Sequence, residues 1–89
     1  MAARRVAVTG LGVVSPVGND VNSFWESLKA GRSGIGPITC IDTAELPVKI
    51  AGEVKDFDPS RRMDGKEARK MDRFSQFAIY AAMEAMEDA

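Results

Sequence analysis

The sequence predicts an α/β architecture that is incomplete on its own, and three observations carry that expectation. The run "RVAVTGLGVV" near the N-terminus is almost continuously apolar, as in strands covered on both faces. "LPVKIAGEVKDF" alternates, which fits a strand with one wet face. Two stretches have helical period, and the second is apolar around most of its circumference from Phe74 to Met83. Such helices sit inside larger proteins. A doubly covered strand also needs neighbours that one further strand and two helices do not supply. The predicted order is strand, helix, strand, long helix. The ending "MEDA" carries no stop signal, so residues 1–89 are expected to be part of a domain and to expose apolar patches when isolated.

The elements follow in order. After the first strand, "GND" offers Asn19 or Asp20 as a helix N-cap. Val21, Phe24, Trp25 and Leu28 then form one apolar stripe, and Gly31 is the expected stop. "GRSGIGPI" reads as a turn-rich loop. In the second strand Val48, Ile50, Gly52 and Val54 share a face. Asp58 and Pro59 suit the opening of a short helical turn. The last helix is predicted to start at Asp64, with Glu67 completing a capping-box-like pair. No glycine or proline follows Lys66.

Bulk properties exclude several functions. Eighty-nine residues suit at most one small domain, which buries about 60–70% of its extended surface. Twelve basic and 13 acidic residues give a net charge of −1, unlike a strongly basic nucleic-acid binder. No apolar run approaches the roughly 20 residues of a membrane span, and "MAARRVAVTG" lacks the run and cleavage site of a signal peptide. A single cysteine forms no internal disulfide, which fits a reducing compartment such as the cytoplasm. With no histidine, neither a Ser/His or Cys/His pair nor an imidazole-based metal site can be assembled. No cofactor site is expected.

Gly10 and Gly12 follow a strand, as in a dinucleotide fingerprint, but Ser15 stands where a third glycine belongs. Pro16 and Gly18 delay the helix, so no helix N-terminus cradles a pyrophosphate. The two glycines are better read as allowing close backbone approach. Cys40 has no histidine or helix N-terminus to activate it and is expected to be a small buried side chain.

The sharpest feature is "MDGKEARKMDRF". On a single helix from Asp64, Lys66, Arg69, Lys70 and Arg73 share an arc of about 100°, with no acid between them on that face. Cations at a helix N-terminus are mildly unfavourable. They are candidates for receiving an acidic partner; the alternative is an ordinary solvated face.

"RRVAVTGLGVVSPVGND", a tryptophan-bearing helix ending "LKAGRSGI", "IAGEVKDFDP" and "KEARKMDRFSQFAIYAAMEAMEDA" together resemble the N-terminal segment of β-ketoacyl-[acyl-carrier-protein] synthases. They are most similar to the type II synthase of fatty acid elongation. Ile41 departs from the Phe common before Asp42. The resemblance implies a thiolase-like layered fold, a homodimer and decarboxylative Claisen condensation. The catalytic cysteine and histidines of such enzymes lie beyond the matched region, so residues 1–89 are expected to be inactive alone. It further implies that Lys66, Arg69 and Lys70 help receive acyl carrier protein. Arg73 shares the arc without being a matched contact. The rival reading is a segment of a non-catalytic, ketosynthase-like or polyketide chain-length subunit.

Overall fold

A computed structural model describes residues 3–89. The elements are α1 (Val21–Ala30), β1 (Ile35–Pro37), β2 (Ile50–Gly52), a 3-10 turn (Pro59–Arg61), α2 (Gly65–Arg69) and α3 (Arg73–Asp88). The strands pair antiparallel, Ile35 opposite Gly52 and Pro37 opposite Ile50. The α/β class holds, while four elements differ from expectation.

The first strand is the largest difference. Residues 3–14 join no ladder. Val6 and Val8 are 90% and 78% exposed. The apolar pattern that predicts cover on both sides is present, but no described strand lies beside it. The second strand shrinks to Ile50–Gly52, and the "GRSGIGPI" loop contains its partner β1. Beyond these two short strands, Ile38 N–H extends the pairing to the Lys49 carbonyl at 2.9 Å.

The predicted long helix is two helices. α2 ends at the C-cap Lys70, and α3 starts at Arg73 after the N-cap Asp72. Asp64 does cap α2, accepting from Lys66 N–H at 3.1 Å. Glu67 does not close a capping box; its carboxylate lies 3.9 Å from Lys70 Nζ. The break also removes the electrostatic penalty for two of the four cations. Arg69 lies in the last turn of α2 and Lys70 caps it, and at that end the helix dipole favours a cation.

Other local expectations hold. Asp20 caps α1 through Ser23 N–H, and Gly31 ends it in the left-handed region at φ 69°. Asp58 caps the turn at Pro59. The α1 stripe is only partly covered: Trp25 and Leu28 are exposed, and the buried residue is Ser27. The Ser27 hydroxyl donates to the Val17 carbonyl at 2.7 Å, so α1 docks on the 15–18 turn through its small polar side.

The core is small. Met63, Ala68 and Tyr80 are buried, with Val14, Phe57 and Met71 packed around them. Phe57 stands edge-on to Phe77 and Tyr80, with centroids 4.8 and 4.9 Å away. The radius of gyration is 16.4 Å, against ~12 Å for a compact chain of this length. Phe74 and Met86 are among the exposed apolar side chains of α3. Among the described residues no helix is long and apolar enough to cross a membrane.

Candidate functional site

The glycine pair comes first, because its geometry decides a function. A Cβ at Gly12 would overlap the Ala81 carbonyl oxygen and lie 2.9 Å from Ala85 N; one at Gly10 would overlap the Ala85 carbonyl oxygen. The glycines therefore let residues 10–14 run directly along α3. The amides that a phosphate would need are already taken. Leu11 N–H donates to Asp88 Oδ2, and Val13 N–H to Glu84 Oε1, each at 3.0 Å. Glu84 Oε2 also accepts from Val21 N–H at 3.0 Å, tying α1 to the same helix. A second anion here would meet two carboxylates, so the nucleotide reading fails on charge as well as on spacing.

Cys40 is exposed rather than buried. Its surroundings still make it a poor nucleophile. The Glu53 carboxylate accepts its N–H at 3.1 Å, as well as the Thr39 hydroxyl at 2.8 Å. The hydrogen bond to Glu53, then desolvation, push the thiol above its ordinary pKa. In return, hydrogen bonds from Cys40 and Thr39 hold Glu53 down at about 2. These residues line an open hollow of about 990 Å³ whose other wall includes Arg73 and Phe77. No group of His, Cys, Asp and Glu suited to a metal occurs among the described residues.

The basic cluster divides. Arg73 is exposed but engaged by neighbouring groups. Its guanidinium lies 4.9 Å from the Phe77 ring centre and 5.7 Å from that of Phe57. Its Nη2 also points to the Val54 carbonyl at 3.4 Å. Arg62 is likewise engaged, with Glu87 at 2.7 Å and the Tyr80 ring at 5.2 Å. Lys66, Arg69 and Lys70 are exposed. Among the described residues, Lys66 and Arg69 pair with no acid, and Lys70 has only the 3.9 Å approach of Glu67. All three sit on α2 and its cap, so helical spacing keeps them on one side. The structure thus separates the three cations from Arg73, which the single-helix arc had grouped together.

Sequence reasoning missed the residues that hold this arrangement. Glu84 and Asp88 are spaced i, i+4 and could have been paired as one face of a helix. Nothing in the sequence marks Glu53 or Gln76. The Gln76 amide donates to the Ala68 carbonyl at 2.7 Å, across the break between α2 and α3.

Residues 3–89 match the family described as "Beta-ketoacyl synthase, N-terminal domain". The 3-oxoacyl-[acyl-carrier-protein] synthase 2 of Coxiella burnetii is 53% identical over 89 residues, which are 100% of this chain and 22% of that protein. The protein of the same name from Synechocystis sp. is 49% identical over 86 residues, covering 97% of this chain and 21% of its own. A solved structure described as "The ishigamide ketosynthase/chain length factor" is 43% identical, with a TM-score of 0.88, and the match covers 99% of this chain and 22% of that one. The chain thus spans about a fifth of the length of the curated relatives it matches.

Proposed function

The chain belongs to the β-ketoacyl synthase family, in its N-terminal domain, and on that premise we propose that residues 1–89 form part of the ketosynthase domain of a fatty-acid-elongating synthase. The whole enzyme takes an acyl group from acyl carrier protein onto a cysteine. It then decarboxylates malonyl-carrier and condenses the two in a Claisen reaction. Residues 1–89 supply scaffold and part of the carrier-docking surface, and no catalytic group. The enzyme acts as a homodimer in the cytoplasm. What supports elongation is identity of about half along the whole chain with synthases of that name.

Lys66, Arg69 and Lys70 are the docking cations. The observation that supports this is their exposure without close ion-pair partners, while Arg62 and Arg73 on either side are engaged. Attraction to an acidic partner raises the encounter rate and weakens with salt. Rim charge pairs are each worth roughly 0–1 kcal/mol. Reversing all three to Glu in the full-length synthase should therefore raise KM for acyl carrier protein by about tenfold or more. Transfer from an acyl-pantetheine, which lacks an acidic protein surface, should be nearly spared. Equal loss of both rates, or an unchanged carrier KM, leaves these residues as a solvated face.

The second reading, a chain-length subunit without a nucleophile, is favoured by the likeness to the ketosynthase/chain length factor structure. Intact mass after incubation with acyl carrier protein separates the two. A synthase gains a stable acyl group and a chain-length subunit does not.

A further inference from the structure

Resting on the docking reading above, we infer that Gln76 is a positioning residue for the carrier-docking cations. α2 has five residues, too few to hold a helix by itself. Its C-terminal carbonyls need partners from outside. The Ala68 carbonyl receives two donors: Met71 N–H at 3.1 Å and Gln76 Nε2 at 2.7 Å. The first comes from the turn that follows α2. The second comes from the first turn of α3, and only the amide NH₂ of Gln76 can make it.

This contact sits where it controls the patch. Ala68 is 2% exposed and lies between Glu67 and Arg69. Its side chain enters the core while Lys66, Arg69 and Lys70 remain exposed. Gln76 is itself half-buried. The first turn of α3 is fixed by Arg73, through the Phe57 and Phe77 rings and the Val54 carbonyl. Gln76 carries that fixed frame to the end of α2. Without its donor, α2 keeps Ala68 buried, but its last turn is free to fray. Arg69 and the capping Lys70 then lose a common direction while keeping their charges.

The test is a double-mutant cycle in the full-length synthase. Gln76→Met keeps length and flexibility and removes the donor. KM for acyl carrier protein should rise about fivefold, the factor that one ordinary hydrogen bond corresponds to. Turnover of an acyl-pantetheine should stay unchanged. Because the charges remain, the dependence of KM on salt should keep its slope. In the background with Lys66, Arg69 and Lys70 reversed to Glu, Gln76→Met should add nothing to KM. If Gln76→Met does not accumulate as folded protein, Gln76→Leu, which also removes the donor without adding charge, is read in the same way. An unchanged KM in the single variant overturns the inference, as does an equal rise in the charge-reversed background or a parallel fall in acyl-pantetheine turnover. If the charge reversal itself leaves KM unchanged, the docking reading has failed instead.

Discussion

The two ends of α3 hold their neighbours in different ways. At the C-terminal end, backbone meets backbone. Gly10 and Gly12 lie against Ala85 and Ala81 with no room for a side chain, and Asp88 and Glu84 accept from the Leu11 and Val13 amides. At the N-terminal end, side chains bridge a gap. Gln76 reaches α2, Arg73 reaches Phe57 and the Val54 carbonyl, and an open hollow separates Arg73 from the β pair. The first end is scaffold, where one added carbon has nowhere to go. The second presents exposed charge, whose reversal is expected to leave the fold nearly unchanged. The contrast also explains why the three exposed cations are at the second end.

The largest effect expected follows from the tight end. Gly12→Ala in the full-length synthase places a methyl onto the Ala81 carbonyl. Relief requires moving either the 10–14 segment or α3, and the bonds to Glu84 and Asp88 resist both. Overpacking of this kind costs about 3 kcal/mol. Thermal or urea unfolding measures it. A loss below about 1 kcal/mol, within the range of ordinary surface changes, breaks the contrast between the ends. The charge reversal on α2 sharpens it, because there the expected loss is in carrier KM with stability nearly kept.

A smaller effect is expected at the hollow. Glu53 is held at about 2, below the ordinary carboxylate value of ~4.3. A carboxylate depressed by folding contributes stability that is present above its unfolded pKa and lost as pH falls through the folded one. The grip on Thr39 and Cys40 therefore weakens between about pH 4 and pH 2. Glu53→Gln should lower the melting temperature slightly near neutrality, and the gap from wild type should close as pH falls through that window. A gap independent of pH would mean that the carboxylate charge contributes nothing.

Legibility in the sequence follows the same division. The caps Asp20 and Asp58, the stop at Gly31 and the close approach at Gly10 and Gly12 were all readable, because each rests on local backbone chemistry. The three docking candidates were readable as a cluster with a family counterpart. The break at Lys70–Asp72 was not, because Lys, Met and Asp carry no strong breaking signal. That miss assigned a helix-dipole penalty to Arg69 and Lys70, which lie at a helix C-terminus. The 5–14 run was read as a ladder strand from its composition, but pairing needs a partner edge, and a single sequence does not show one. Gln76 and Glu53 were invisible because their roles depend on backbone groups 8 and 14 residues away.

The smallest effect is expected at Cys40. An exposed thiol invites the idea of a reactive centre, yet reactivity belongs to the thiolate. Here the nearest charge is the Glu53 carboxylate, which accepts a hydrogen bond from the thiol and raises its pKa. Arg73 opposes this weakly, and its guanidinium is committed to Phe77 and Phe57. Cys40 is therefore protonated at neutral pH despite its access to solvent. Cys40→Ala in the full-length synthase should leave condensation within about twofold of wild type, since exposed substitutions away from special features fall within ±0.5 kcal/mol. Alkylation at pH 7 should be slower than for an unperturbed cysteine, and Glu53→Gln should speed it by removing the carboxylate. Loss of the acyl-enzyme in Cys40→Ala would instead place chemistry at the loose end of α3. Alkylation unaffected by Glu53→Gln would mean that the carboxylate does not govern the thiol.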